Sequence, residues 1–112
     1  MHELSIAVNI VEIADQNAKE NNINSFSEME LEIGSLSGVV IDALEFALAE
    51  AIKNSSLQKT EIKITSIQAM LRCNKCLHEF KSEDYINQCE KCGSFENEAF
   101  QGKELKIKSL TT

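Results

Sequence analysis

Apolar residues recur along this chain with two alternating periodicities. Leu4, Ala7, Val8, Val11, Ala14 and Ala18 return every three or four positions, which predicts a first helix from about Leu4 to Glu20. Asn21-Asn22 ends it, because Asn tolerates the left-handed backbone of a helix C-terminus. Glu28-Met29-Glu30-Leu31-Glu32-Ile33 then alternates strictly and predicts a strand whose glutamates line a wet face, in simple solvent exposure. Gly34-Ser35-Leu36-Ser37-Gly38 is a turn rich in capping residues, suited to helix entry or partner contact. Ile41, Leu44, Ala47, Leu48, Ala51 and Ile52 outline a second helix starting at Val39 or Val40, closed by Asn54-Ser55-Ser56.

Ile62, Ile64, Ile67, Ala69 and Leu71 suggest one longer strand whose phase slips at Thr65-Ser66, the signature of a bulge. From residue 72 to about 98 the chain changes character, with four cysteines, many polar residues and few apolar ones. Lys103-Glu104-Leu105-Lys106-Ile107-Lys108 alternates again as a strand. The expected fold class is α/β, a small domain of two helices on a roughly three-stranded sheet, with a four-cysteine module inserted between its last two strands. The domain is therefore discontinuous, 1–71 plus 101–112, and the module is 72–100. The two ends of the insertion should lie close together, at the edge of the sheet.

Composition sharpens this picture. Apolar residues make up 43% of the chain, enough for a core, but aromatics only 5%, so Ile, Leu, Val and Ala must fill it. No apolar run approaches the roughly 18 to 20 residues of a membrane span. The start, Met1-His2-Glu3, lacks the basic and greasy segments of a signal peptide. Both point to the cytoplasm, where paired cysteines more often mean metal than disulfide. The net charge of −7 repels phosphate backbones and argues against nucleic-acid partners.

Cys73, Cys76, Cys89 and Cys92 have the spacing C-x2-C-x12-C-x2-C. Each CxxC knuckle presents two sulfurs to one ion, and two knuckles complete a tetrahedron, so the module should hold structural zinc. A closed four-sulfur shell leaves no open position for chemistry. Gly93 stands where a knuckle often needs positive φ, whereas Leu77 holds the same place in the other knuckle. Lys75 and Lys91 offset the charge of the centre, and His78 is expected to cap or solvate its knuckle. Two other readings share these ligands: a zinc-ribbon adaptor of transcription or translation, and a small electron carrier with iron in the four-sulfur site. No Ser-His-Asp set, phosphate loop or isolated carboxylate pair occurs, which reads as a non-enzyme.

The remaining informative place is Met1-His2-Glu3. A His beside the amine, followed by a carboxylate, offers amine, imidazole, amide and oxygen donors, a set that suits nickel(II) or copper(II). On its own a His at position 2 is usually accidental.

Four segments in order resemble one family across the whole chain: Met1-His2-Glu3-Leu4-Ser5, Glu32-Ile33-Gly34-Ser35-Leu36-Ser37-Gly38-Val39, the paired cysteine knuckles, and Gln101-Gly102-Lys103-Glu104-Leu105. Together they are similar to the HypA/HybF nickel-incorporation proteins of hydrogenase maturation. The resemblance implies a nickel metallochaperone that passes transported Ni2+ to the large subunit of [NiFe]-hydrogenase, with help from a maturation GTPase of the HypB type. It implies His2 as the indispensable nickel ligand, Met1 and Glu3 beside it, and structural Zn2+ on the four cysteines. It also points to an acidic residue near the turn, for which Asp42 and Glu45 are the candidates. The state expected is a monomer or weak homodimer, with no membrane partner.

Overall fold

A computed structural model describes residues 3–82 and 88–112. Helix α1 spans Glu3–Glu20 and buries Ala7, Ile10, Val11, Ala14 and Ala18 along one stripe. The small side chains in that stripe let the helix approach its neighbours closely. Asn22, at φ 56, ends it, and the Ile23 N–H returns to the Ala18 carbonyl at 2.8 Å, as a left-handed C-terminus requires.

Strand β1 (Glu28–Gly34) is the centre of the first sheet, whose order is β2-β1-β6. Helix α2 (Ile41–Ala51) carries the chain from β1 to the parallel strand β2 (Glu61–Ile67). Strand β6 (Leu105–Thr111) closes the other side antiparallel. Met29, Leu31 and Ile33 point from β1 into one core with Leu44, Leu48 and the α1 stripe. Each such side chain contributes roughly 1.5 to 3 kcal/mol by leaving water. Leu31→Ala would cost about 2 to 5 kcal/mol.

The opposite face of β1 is not simply solvated. Glu32 meets Lys106 at 3.4 Å, and Glu30 meets Lys108 at 3.8 Å and accepts the Thr65 hydroxyl at 3.2 Å. The alternating lysines of β6 lie across from the alternating glutamates of β1, so the charges of Glu30 and Glu32, expected in simple solvent exposure, are matched within the sheet.

The single long strand expected over 62–71 is two strands. Parallel pairing of β2 with β1 runs without a slip from Glu61 to Ile67. The chain then breaks at Gln68-Ala69 and enters β3 (Met70–Cys73), in a second sheet of order β4-β3-β5 with β4 (Glu79–Lys81) and β5 (Asn97–Gln101). The phase slip at Thr65-Ser66 is therefore no bulge; the apolar alternation simply changes sheet. A register shift does occur in the first sheet, where Lys108 is the extra residue of β6 opposite Glu30/Leu31.

The insertion leaves and re-enters at one place. Gln101 donates its amide to the Gln68 carbonyl at 2.9 Å, and a Cβ on Gly102 would sit 2.6 Å from the Ala69 Cα. The two ends are close, as expected, but they lie beyond the ends of the strands rather than along the sheet edge. Turn 34–38 is bound to both. The Ser35 N–H donates to the Ile67 carbonyl, the Ser35 hydroxyl accepts the Ala69 N–H, and the Leu36 N–H donates to the Gly102 carbonyl. A Cβ on Gly34 would fall 2.0 Å from the Gly102 oxygen, so close approach alone requires glycine there.

Candidate metal centre and amino-terminal edge

The two knuckles fold alike. In the first, the Leu77 N–H returns to the Cys73 carbonyl at 3.0 Å and the Cys73 N–H to the His78 carbonyl at 2.9 Å. In the second, the Gly93 N–H returns to the Cys89 carbonyl at 2.9 Å and the Cys89 N–H to the Ser94 carbonyl at 2.8 Å. Both need a left-handed residue after the second cysteine. Gly93 takes it at φ 78, and Leu77 takes it at φ 64 despite its side chain.

Strand β3 delivers Cys73, and the antiparallel pairing of β3 with β5 brings the second knuckle beside it. The four sulfurs lie within 4.8 Å of one another, with Cys73–Cys92 at 3.5 Å and Cys76–Cys89 at 3.6 Å. A tetrahedron with zinc–sulfur bonds of about 2.3 Å has edges of about 3.8 Å, so the cluster fits zinc.

Electrostatics give the same answer. The N–H groups of Cys76 and Lys75 pull Cys73 down to about 6 against the cost of its burial. Burial opposes ionisation of Cys89, but N–H groups of Cys92 and Lys91 bring it below the ordinary thiol range. At Cys92 the Ser94 N–H favours the thiolate, yet the neighbouring sulfurs, Cys73 foremost, and burial push it up to about 12. Four thiolates cannot share this space without a cation between them.

His78 hydrogen-bonds the Glu90 carboxylate at 2.8 Å and stacks on Phe80. It links one knuckle to the other and stays outside the sulfur cluster. Lys75 lies 4.0 Å from Glu96, at the rim of the centre.

Of the predicted amino-terminal site, Met1 and His2 lie outside the described residues. Glu3 opens α1, and its carboxylate accepts the Val40 N–H at 3.3 Å, across to the start of α2. Asp42 occupies the first turn of α2. Glu45 instead lines a groove with Leu48, Ile52, Ile62 and Ile64, between α2 and β2.

Leu77 takes the left-handed place that the repeat of the knuckles assigned to it. The bond from Glu3 to the start of α2 was missed by sequence reasoning. For Glu3, the signal was the absence of any capping side chain at Val40.

Fold and site together define a small α/β protein bearing a closed four-sulfur metal centre on an inserted ribbon. The chain matches the family "Hydrogenase/urease nickel incorporation, metallochaperone, hypA" over residues 1–112, and it belongs to that family. It is 44% identical over 110 residues to the hydrogenase maturation factor HypA of Parabacteroides distasonis, covering 98% of this chain and 96% of that one. To the HypA of Francisella philomiragia it is 37% identical, covering 98% and 97%. Among solved structures, the solution structure of the Ni metallochaperone HypA from Helicobacter pylori is similar, with a TM-score of 0.70 and 25% identity over 100% of this chain and 97% of that one.

Proposed function

We propose that this chain carries Ni(II) at its amino terminus through His2, with Met1 and Glu3 beside it, while the four cysteines keep a structural zinc. The observation that carries this reading is the closure of the four-sulfur cluster. Among the described residues it is the single group of three or more side chains that could hold a metal, and its four sulfurs lie within 4.8 Å of one another, placed for one ion. A nickel-incorporation protein must then hold its cargo elsewhere. Nitrogen donors at Met1-His2-Glu3 suit Ni(II), which can displace amide protons. The four-sulfur site, when loaded, supplies cross-linking and no open coordination position.

In this reading 1–71 plus 101–112 forms the nickel-binding domain and 72–100 the zinc module. The protein acts without catalysing a reaction itself. Its partners are a maturation GTPase of the HypB type and the hydrogenase large subunit, met in the cytoplasm, with neither nucleic acid nor membrane involved. It works as a monomer or weak homodimer. The family description, which names urease beside hydrogenase, and the lack among the described residues of a helix long and apolar enough to span a membrane support this assignment.

Calorimetry on untagged, zinc-loaded protein tests it. His2→Ala should abolish tight nickel binding and leave the zinc content unchanged. Undiminished nickel affinity in that variant would overturn the reading.

A further inference from the structure

The geometry points to a second task for Glu3 that rests on the nickel reading: its carboxylate is a positioning group that clamps the start of α2, and is not a nickel ligand. Helix α2 begins without help from its own cap. Val40 sits there with extended backbone, at φ −86 and ψ 112, and has no side-chain hydrogen bond to offer. Nearby, the Ser37 hydroxyl accepts the Val39 N–H at 3.2 Å, and the next N–H, that of Val40, goes to Glu3. The carboxylate thus does from a distance of 37 residues what the Glu of a capping box does locally, accepting the N–H of the residue at the cap.

The starts of α1 and α2 are thereby fastened to each other one residue from His2. Two helix N-termini present positive partial charge, which opposes a cation. A carboxylate between them offsets that charge at the start of α1. The Glu3 carboxylate is thus given to α2 and not to the metal.

The test compares Glu3→Ala with Glu3→Gln, whose amide oxygen can still accept the Val40 N–H. Nickel affinity is measured by calorimetry, the ligand set by the d–d absorption band at nickel saturation, and the clamp by hydrogen exchange at the Val40 amide. Glu3→Ala should weaken nickel binding about five- to tenfold, the scale of one lost helix cap, with an unchanged band and fast Val40 exchange. Glu3→Gln keeps the clamp and loses only the charge, so it should weaken binding about twofold, with Val40 protected. A shifted band in either variant, or Gln performing no better than Ala, would overturn the proposal. Exchange at Val40 in nickel-free protein separates this outcome from failure of the nickel site itself, which His2→Ala reports.

Discussion

The two sheets of this protein are held by different physics. Around β1, thirteen described residues are buried in one cluster, all apolar and drawn from both helices and the sheet. The cluster around β3 has four, and two of those, Cys73 and Cys89, belong to the four-sulfur group. The first lobe can account for its own stability by removing hydrocarbon from water. The second cannot, so a metal ion must take the place of the missing core. Function divides along the same line, since the lobe with a core of its own is the one proposed to carry cargo.

Removing zinc is the strongest way to break that comparison. Binding to such sites is worth on the order of 10 kcal/mol, so a chelator or Cys73→Ala should abolish protection of β3, β4 and β5 in hydrogen exchange. The helical circular-dichroism signal of α1 and α2 should survive. Helices that melt together with the ribbon would show that the lobes are one cooperative unit.

Acid should draw the same distinction more gently. The folded-state acidity of Cys73 lies below the ordinary thiol value, so its thiolate favours the folded centre at neutral pH, and that contribution is lost as pH falls through about 6. Zinc affinity should therefore fall steeply below pH 6, followed with a metal indicator, while the helices persist to lower pH.

The join offers a third, intermediate effect. Gly102 stands at φ 112 with Ala69 against it, so Gly102→Ala should cost about 3 kcal/mol in thermal or denaturant unfolding, by strain and overlap together. The smallest effect comes from the knuckles themselves. Leu77→Gly should stabilise the zinc-loaded ribbon by about 1 kcal/mol, and Gly93→Ala should destabilise it by a similar amount, because each changes the residue forced to be left-handed. Equal responses of the two sites would remove the asymmetry between them.

How much of this was legible beforehand depended on the range of the signal. The α1 stripe and the alternation of β1 are local, and they were readable because one face of each is buried. The zinc ligands were readable because CxxC spacing is itself a piece of geometry. The split of 61–73 into two strands was not, since its one trace, the phase slip at Thr65-Ser66, reads equally as a bulge and Gln68-Ala69 carries no Gly or Pro. Strands β4 and β5 were hidden by shortness and by facing a core made largely of sulfur. The glutamates of β1 seemed solvated because their lysine partners sit some 75 residues further on, and pairing over that distance leaves no local trace.

Insertion of the ribbon has a consequence for the order of events during synthesis. The central strand β1 gains its second neighbour only when the last strand, β6, emerges, after residues 68–104 have been made. Until then one side of β1 carries unpaired backbone groups, a template for pairing with another chain. Metal capture at the knuckles pins β3 against β5 and shortens the loop that β6 must close to the few residues at the join. The entropy saved is on the order of 1 to 2 kcal/mol, and it arrives before β6 has made a single native hydrogen bond. Zinc on the four cysteines, as proposed, would thus act on the first lobe during biogenesis, as a clasp that brings the end of the chain home before the open strand finds a stranger.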